Sequence, residues 1–186
     1  MKIIETKIEG LLIFEPRVFG DERGFFTETF RQSWLEEAGI SCVFVQDNWS
    51  RSAEGTLRGL HYQLHKPQAK LVMVTRGEVL DIAVDIRRGS PTFGKYEAIL
   101  LSEENKRMVF IPEGFAHGFF VKSKTADFMY KCSNYYNPES ERSLHWSDPT
   151  LGIDWSAENP LVSKKDADAP FLNNIPESDL PHFSPS

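Results

Sequence analysis

Pro112-Glu-Gly114-Phe-Ala-His117 sits between two short apolar runs, Met108 to Ile111 and Gly118 to Val121. Proline fixes its own φ and glycine accepts positive φ, so the pair shapes a tight turn between two strands. The strand that leaves this turn carries an imidazole on one face. Outward from it, strand signals dominate. Glu78-Val-Leu-Asp-Ile-Ala-Val-Asp-Ile86 alternates with period two: Leu80, Ile82, Val84 and Ile86 face one way, Val79, Asp81, Ala83 and Asp85 the other. Lys70 to Thr75 reads as a strand joined to it by a hairpin-like turn at Arg76-Gly77. Phe25 to Phe30, Phe44 to Trp49, Leu57 to Leu64, Tyr96 to Leu101 and Phe128 to Cys132 add further candidates. Many short strands punctuated by Gly, Pro, Asn and Ser predict an all-β sandwich or closed barrel.

Helix signals are few. Ser33-Trp-Leu-Glu-Glu-Ala-Gly39 predicts one short helix, with Ser33 as N-cap and Gly39 beyond its end. Ser163-Lys-Lys-Asp-Ala-Asp168 predicts another turn or two. Residues 173–186 are rich in Pro and Ser and predict a surface or disordered tail, which leaves residues 1–172 as a single domain. Acidic residues outnumber basic ones by 27 to 21, a net charge of −6, and no basic run is present to neutralise phosphates. Nucleic-acid binding is therefore not expected, although one local basic pocket for a small anion is compatible with that balance. No apolar run approaches the roughly 18 residues a membrane helix needs. Met1-Lys-Ile-Ile-Glu-Thr-Lys7 has no apolar signal segment, and Cys42 and Cys132 are far apart with no CxxC partner. The expectation is a cytoplasmic protein with reduced thiols and no membrane association.

The stretch from Ile111 to Val121 resembles the second sequence motif of cupins, double-stranded β-barrels in which this His points into the barrel, usually as a metal ligand. The resemblance implies a cupin-type double-stranded β-helix, or jelly-roll barrel, with a few short helices. Metal-binding cupins supply two more His as a His-x-His pair from an earlier strand. The matching region here reads Leu57-Arg-Gly-Leu-His61-Tyr-Gln63-Leu-His65, with His-x-Gln instead. His61 and His65 are four apart, about 13 Å by strand rise, too far to share one metal ion at about 2 Å. The barrel is thus expected without the metal site. A metal-dependent cupin enzyme using His61, His65 and His117 is one rival reading, and a non-catalytic sugar-binding cupin is another.

Eight motifs follow one another in order: Gly20-Asp-Glu-Arg-Gly-Phe-Phe26, Val45-Gln-Asp-Asn48, Leu57-Arg-Gly-Leu-His-Tyr-Gln63, Gly77-Glu-Val79, Asp85-Ile-Arg87, Ser90-Pro-Thr-Phe-Gly94, Ile111-Pro-Glu-Gly-Phe-Ala-His-Gly118 and Tyr130-Lys-Cys-Ser-Asn-Tyr-Tyr136. With these motifs the chain resembles the dTDP-4-dehydrorhamnose 3,5-epimerase family up to about Leu172. The resemblance implies an isomerase that inverts C3 and C5 of dTDP-4-dehydro-6-deoxy-D-glucose, giving dTDP-4-dehydro-L-rhamnose for polysaccharide biosynthesis. It implies no metal, no cofactor and a homodimer formed by exchange of N-terminal strands. The reaction has no redox step, which agrees with the absence of a GxGxxG fingerprint. Relatives that epimerise only C3 or C5, or act as ketoisomerases, remain alternatives.

The resemblance assigns roles residue by residue. His61 matches the family's general base; imidazole has an unperturbed pKa near 6.5, so a neutral fraction is available at physiological pH. Asp166 matches the carboxylate that orients it, with Asp168 a nearby competitor. Tyr130 matches the general acid, with Tyr135 and Tyr136 as alternatives. Lys70 matches the cation beside the C4 oxygen, where enolate charge develops. Arg58 suits a substrate phosphate, because its planar fork fits that anion. Arg58 and His61 have opposite parity on a regular strand, so both reach one site only if a bulge intervenes, and Gly59 is the obvious place. Arg23, Glu28, Gln46, Asp47, Asn48, His117, Glu141 and Lys165 match substrate-binding positions, with Arg23 and Glu28 near the strand that relatives exchange. Phe19, Phe26 and Trp146 are candidates to stack on thymine or sugar.

Overall fold

Residues 1–184 are described by the computed structural model. Two antiparallel sheets face one another. The first has the order β1 (Lys2–Glu5), β2 (Leu12–Glu15), β10 (Met108–Ile111), β7 (Lys70–Arg76), β12 (Thr125–Cys132) and β5 (Gln46–Ala53). The second has the order β13 (Glu141–Ser143), β6 (Thr56–Gln63), β11 (Phe115–Val121), β8 (Glu78–Asp85) and β9 (Tyr96–Ser102), and β14 (Leu161–Val162) pairs parallel to β6. A separate ribbon, β3 (Val18–Asp21) with β4 (Gly24–Thr27), forms its own two-stranded sheet. This is the jelly-roll barrel of the cupin type that the resemblance over Ile111 to Val121 implies.

Alternation along the strands sorts side chains into three cores. Between the sheets, Val72, Val74, Val79, Ala83, Leu101, Phe119, Val121 and Phe128 fill the barrel. On the outer face of the second sheet, Leu60, Tyr62, Ile82, Val84 and Ile86 lie under Leu144, Leu151, Trp155 and Leu172. On the outer face of the first, Leu71, Met108 and Phe110 lie under Trp34 and Leu35 of helix α1 (Gln32–Glu37). The two faces read from β8 in the sequence therefore serve two different cores, Leu80, Ile82 and Val84 the outer one and Val79 and Ala83 the barrel.

The expected hairpin between β7 and β8 does not form. β7 pairs with β10 and β12, and β8 with β11 and β9, so the chain crosses between sheets at Gly77. Gly77 has φ +75 and an added Cβ would lie 2.1 Å from the Thr125 carbonyl oxygen. The local turn chemistry is hairpin-like, but burial of both faces of β8 decides its partners. Helix α1 starts at Gln32 with Arg31 as N-cap, not at Ser33. The Gln32 side chain donates to the Cys42 carbonyl at 2.9 Å, and Trp34 and Leu35 bury, so tertiary contacts fix the start. Gly39 follows the helix at φ +72, as expected.

The segment after Leu172 is ordered on the barrel and not a free tail. Ile175 and Leu180 bury in the core of the second sheet's outer face. The Tyr62 hydroxyl donates to the Asp179 carbonyl at 2.8 Å. Prolines in this stretch interrupt regular structure without preventing burial of the apolar residues between them. Pro185 and Ser186, the end of the expected tail, lie outside the described residues.

Candidate active site

One end of the barrel interior is polar and open. Arg58, His61, Lys70, His117, Tyr130, Lys165 and Asp166 line a cleft of about 410 Å³ with Phe119, Phe128 and Leu161 as apolar wall. At His61, Lys70 and Tyr130 it meets a second lobe of about 220 Å³ lined by Gln46, Asn48, Gln63, Tyr136 and Glu141. His61 and His117 are cross-strand neighbours on the second sheet, while Tyr130 and Lys70 project from the first. The site therefore lies between the sheets.

The bulge required at Gly59 is present. His117 pairs with His61 and Phe119 with Arg58, three steps along β6 against two along β11. That extra residue brings Arg58 and His61 to one cleft. Gly59 has φ +118, and a Cβ there would lie 2.5 Å from Gly118 Cα and 2.7 Å from the His117 carbonyl oxygen. Backbone lies on both contacts, so a side chain has nowhere to move. Gly59→Ala is expected to lower unfolding free energy by about 2–5 kcal/mol, from overpacking and an unfavourable φ together. Urea denaturation checks this, and an unchanged midpoint would contradict the close approach.

His61 Nε2 lies 2.6 Å from Asp166 Oδ1, and Asp166 Oδ2 accepts from the Gly59 N–H at 3.3 Å. Asp166 is held by helix α2 (Lys164–Ala167), whose N-cap Ser163 accepts from the Asp166 N–H. The carboxylate side chain is only 4% exposed and the imidazole 30%. Burial alone would raise the Asp166 carboxyl, but the His61 contact and the Gly59 N–H outweigh it and hold it below the usual carboxylate range. An ionised carboxylate accepts, so Nε2 carries the His61 proton and Nδ1 is the basic nitrogen. Asp168 instead ends the helix, exposed and paired with Lys164. Of the two aspartates, Asp166 is the one in contact with His61.

Burial pushes the Lys70 ammonium down, while Cys132, Asp81 and Glu141 oppose that shift. Burial likewise pushes the Tyr130 phenol up, so it stays protonated at neutral pH. Tyr135 is exposed, and Tyr136 donates to Glu141 at 2.9 Å in the second lobe. Tyr130 is the phenol that reaches both lobes. Glu141 also pairs with Lys165 at 2.6 Å, which ties the two lobes together. The Gln46 amide donates to Asn48 at 3.0 Å, and Arg58 Nε donates to the Ser52 hydroxyl at 3.0 Å.

Three expected binding residues are not brought to this cleft. Arg23 pairs with Asp21 at the tip of the β3–β4 ribbon, and Glu28 pairs with Arg31. Asp47 pairs with Lys131, because alternation along β5 turns Gln46 and Asn48 inward and Asp47 outward. Phe19 and Phe26 are exposed on the ribbon, and Trp146 packs against the outer core of the second sheet; none lines the cleft. One residue missed in the sequence is Asp81. Its Oδ2 lies 2.8 Å from His117 Nε2. The signal was an acid between Val79 and Ala83 on the barrel-facing side of β8.

The sequence profile of the dTDP-4-dehydrorhamnose 3,5-epimerase family matches residues 5–174. The chain belongs to the dTDP-4-dehydrorhamnose 3,5-epimerase family. It is 57% identical over 168 residues to the enzyme of that name from Shigella flexneri, covering 89% of this chain and 93% of that protein. Among solved structures it is similar to the dTDP-6-deoxy-D-glucose-3,5-epimerase from Legionella pneumophila Philadelphia 1 in complex with dTDP-4-keto-L-rhamnose. There the TM-score is 0.97 at 56% identity over 99% of both chains. It is also similar to a 3'-monoepimerase from Streptomyces bikiniensis in complex with dTDP-quinovose, with a TM-score of 0.89, 37% identity, and 95% and 91% of the two chains covered. The protein is accordingly an isomerase of the dTDP-4-dehydrorhamnose 3,5-epimerase type. Among the described residues, no helix is long and apolar enough to cross a membrane.

Proposed function

We propose that this epimerase inverts both C3 and C5 of dTDP-4-dehydro-6-deoxy-D-glucose, giving dTDP-4-dehydro-L-rhamnose. The observation that carries the mechanism is His61 on one sheet, 2.6 Å from Asp166 of α2, facing Tyr130 and Lys70 on the other sheet. The C4 ketone acidifies the hydrogens on C3 and C5. His61 Nδ1 takes one of these protons, and the C–H electrons move into the ring to form an enolate on the C4 oxygen. Asp166 stabilises the resulting imidazolium. The Lys70 ammonium stabilises the enolate more than the ground-state ketone, which is the differential effect catalysis requires. Tyr130 returns a proton to the carbon from the opposite face, and the ketone re-forms. Solvent then takes the proton from the His61 imidazolium and returns one to the Tyr130 phenolate, and the reset pair repeats the cycle at the second centre. Electrons balance without an oxidant, so the chemistry needs no nicotinamide, and the Lys70 ammonium supplies the positive charge at the enolate oxygen. Arg58 and Lys165 supply positive charge for the diphosphate, and Gln46, Asn48, His117 and Glu141 supply polar contacts to the rest of the ligand.

Arg23 and Glu28 fit a homodimer in which the N-terminal strands, with the β3–β4 ribbon, are exchanged and carry these residues to the neighbour's cleft. The exposed Phe19, Phe25 and Phe26 on that ribbon support this reading. Light scattering should give twice the 21.3 kDa chain mass, and a monomer at all concentrations would oppose it. Both cysteines are free thiols, which fits the reducing cytoplasm, and cell fractionation should recover the protein there. Proton NMR of the sugar product tests the activity: the ring couplings should report inversion at both C3 and C5. Inversion at one centre only would support the single-centre alternative, and an unchanged sugar would sink the proposal.

A further inference from the structure

Asp81 is the one described residue with a buried side-chain oxygen, Oδ1, that has no hydrogen-bond partner. It lies on β8 among Val79 and Ala83, inside the barrel, and only 1% of the residue is exposed. Such a group weakens the fold unless it does something else, because an unmade bond is not recovered from water. What Asp81 does is visible at its other oxygen. Oδ2 contacts His117 Nε2 at 2.8 Å, and His117 is part of the cleft wall.

A histidine ring has two nitrogens, and a partner on one fixes the behaviour of the other. We propose that Asp81 is a positioning residue that holds His117 as the Nε2–H tautomer, so that Nδ1 faces the cleft as an acceptor for a hydroxyl of the bound sugar. The selection is chemical. An ammonium or a protonated imidazole at this place would only donate, and would compete with Lys70 for the ketone oxygen. A neutral ring held by Asp81 accepts instead, and so reads a hydroxyl and leaves the C4 oxygen to Lys70.

The surroundings agree. Burial pushes the His117 imidazolium down, with Lys70 and His61 acting the same way, and these together outweigh the opposing charge of Asp81. The ring is therefore neutral at pH 7. The Phe128 ring lies 6.0 Å from it, roughly parallel at 29°, and limits rotation. The arrangement repeats the His61–Asp166 pair on the neighbouring strand with a different outcome. The His61 side chain is 30% exposed at the cleft, whereas the His117 side chain is 8% exposed and kept uncharged.

The inference rests on the dTDP-sugar reading of the cleft, but its first test needs no ligand. Two-bond nitrogen–proton NMR of the labelled wild-type protein at pH 7 reports which ring nitrogen of His117 carries the proton, with the signal assigned by its loss in His117→Gln. The expected pattern is neutral with the proton on Nε2. A proton on Nδ1, or an imidazolium, would overturn the proposal even if the enzyme is an epimerase. The second test compares binding of dTDP-glucose, which lacks the C4 ketone and does not react, with binding of dTDP. Asp81→Asn should weaken dTDP-glucose by roughly three- to tenfold, the worth of one hydrogen bond, and leave dTDP unchanged. Equal loss of both ligands would mean that Asp81 only supports the barrel, and loss of neither would remove its role. If Asp81→Asn fails to fold, the wild-type tautomer decides alone.

Discussion

His61→Ala is expected to lose roughly 10²–10⁴ in turnover, the usual contribution of a general base, while the protein stays folded. The imidazole is partly exposed at the cleft, and its one described hydrogen bond is to Asp166. Its removal widens an open cleft and leaves the packed cores untouched. Asp166 keeps the Gly59 N–H as a partner, which limits the stability loss. Asp166→Asn keeps the shape but removes the charge that stabilises the imidazolium, so it should be impaired by less than His61→Ala. Asp168→Asn should be nearly neutral, because that side chain is exposed and pairs with Lys164 outside the cleft. Turnover is measured on the 4-keto sugar and folding by circular-dichroism melting. If Asp168→Asn is the more damaging change, the assigned pair is wrong.

How much of this was legible in the sequence depends on the range of the interaction involved. Alternation in Glu78–Asp85 identified a strand with two distinct faces, and those faces do serve two cores. The opposed parity of Arg58 and His61 required a bulge, and Gly59 carries it. Pairing was not legible. The Arg76-Gly77 turn looks the same locally whether the chain doubles back or crosses to the facing sheet, and only burial of both faces of β8 separates the two. The segment after Leu172 was misread because its prolines and serines outweighed Ile175 and Leu180, whose docking site is assembled from residues far away in sequence. Asp81 was visible as an acid facing the barrel, but its partner His117 lies 36 residues on, and only the register of β8 with β11 joins them.

Tyr130→Phe should separate two events that the wild-type enzyme couples. The phenol stands on the sheet opposite His61 and is held protonated by burial. With Phe in place, His61 still removes a proton and returns it to the same face. In heavy water the imidazolium exchanges its proton with solvent before the return, so the return carries deuterium without inverting the carbon. The variant is expected to incorporate label while forming little of the L-configured product, a loss of inversion of about 10²-fold or more. The ring still packs against Phe128, so folding should survive. Equal loss of exchange and inversion in a folded variant that binds dTDP would show that the hydroxyl is needed to form the enolate. Loss of neither would move the acid to Tyr135 or Tyr136, of which Tyr136 lines the second lobe.

The central claim is that side chains alone move protons at the carbons flanking the C4 ketone. Incubation of the wild-type protein with dTDP-4-dehydro-6-deoxy-D-glucose in heavy water, followed by NMR, tests it most directly. The account predicts deuterium at both C3 and C5, appearing together with inversion and persisting after exhaustive chelation. Product formed with no deuterium at either carbon, or exchange that stops on chelation and returns with one added metal, would contradict it.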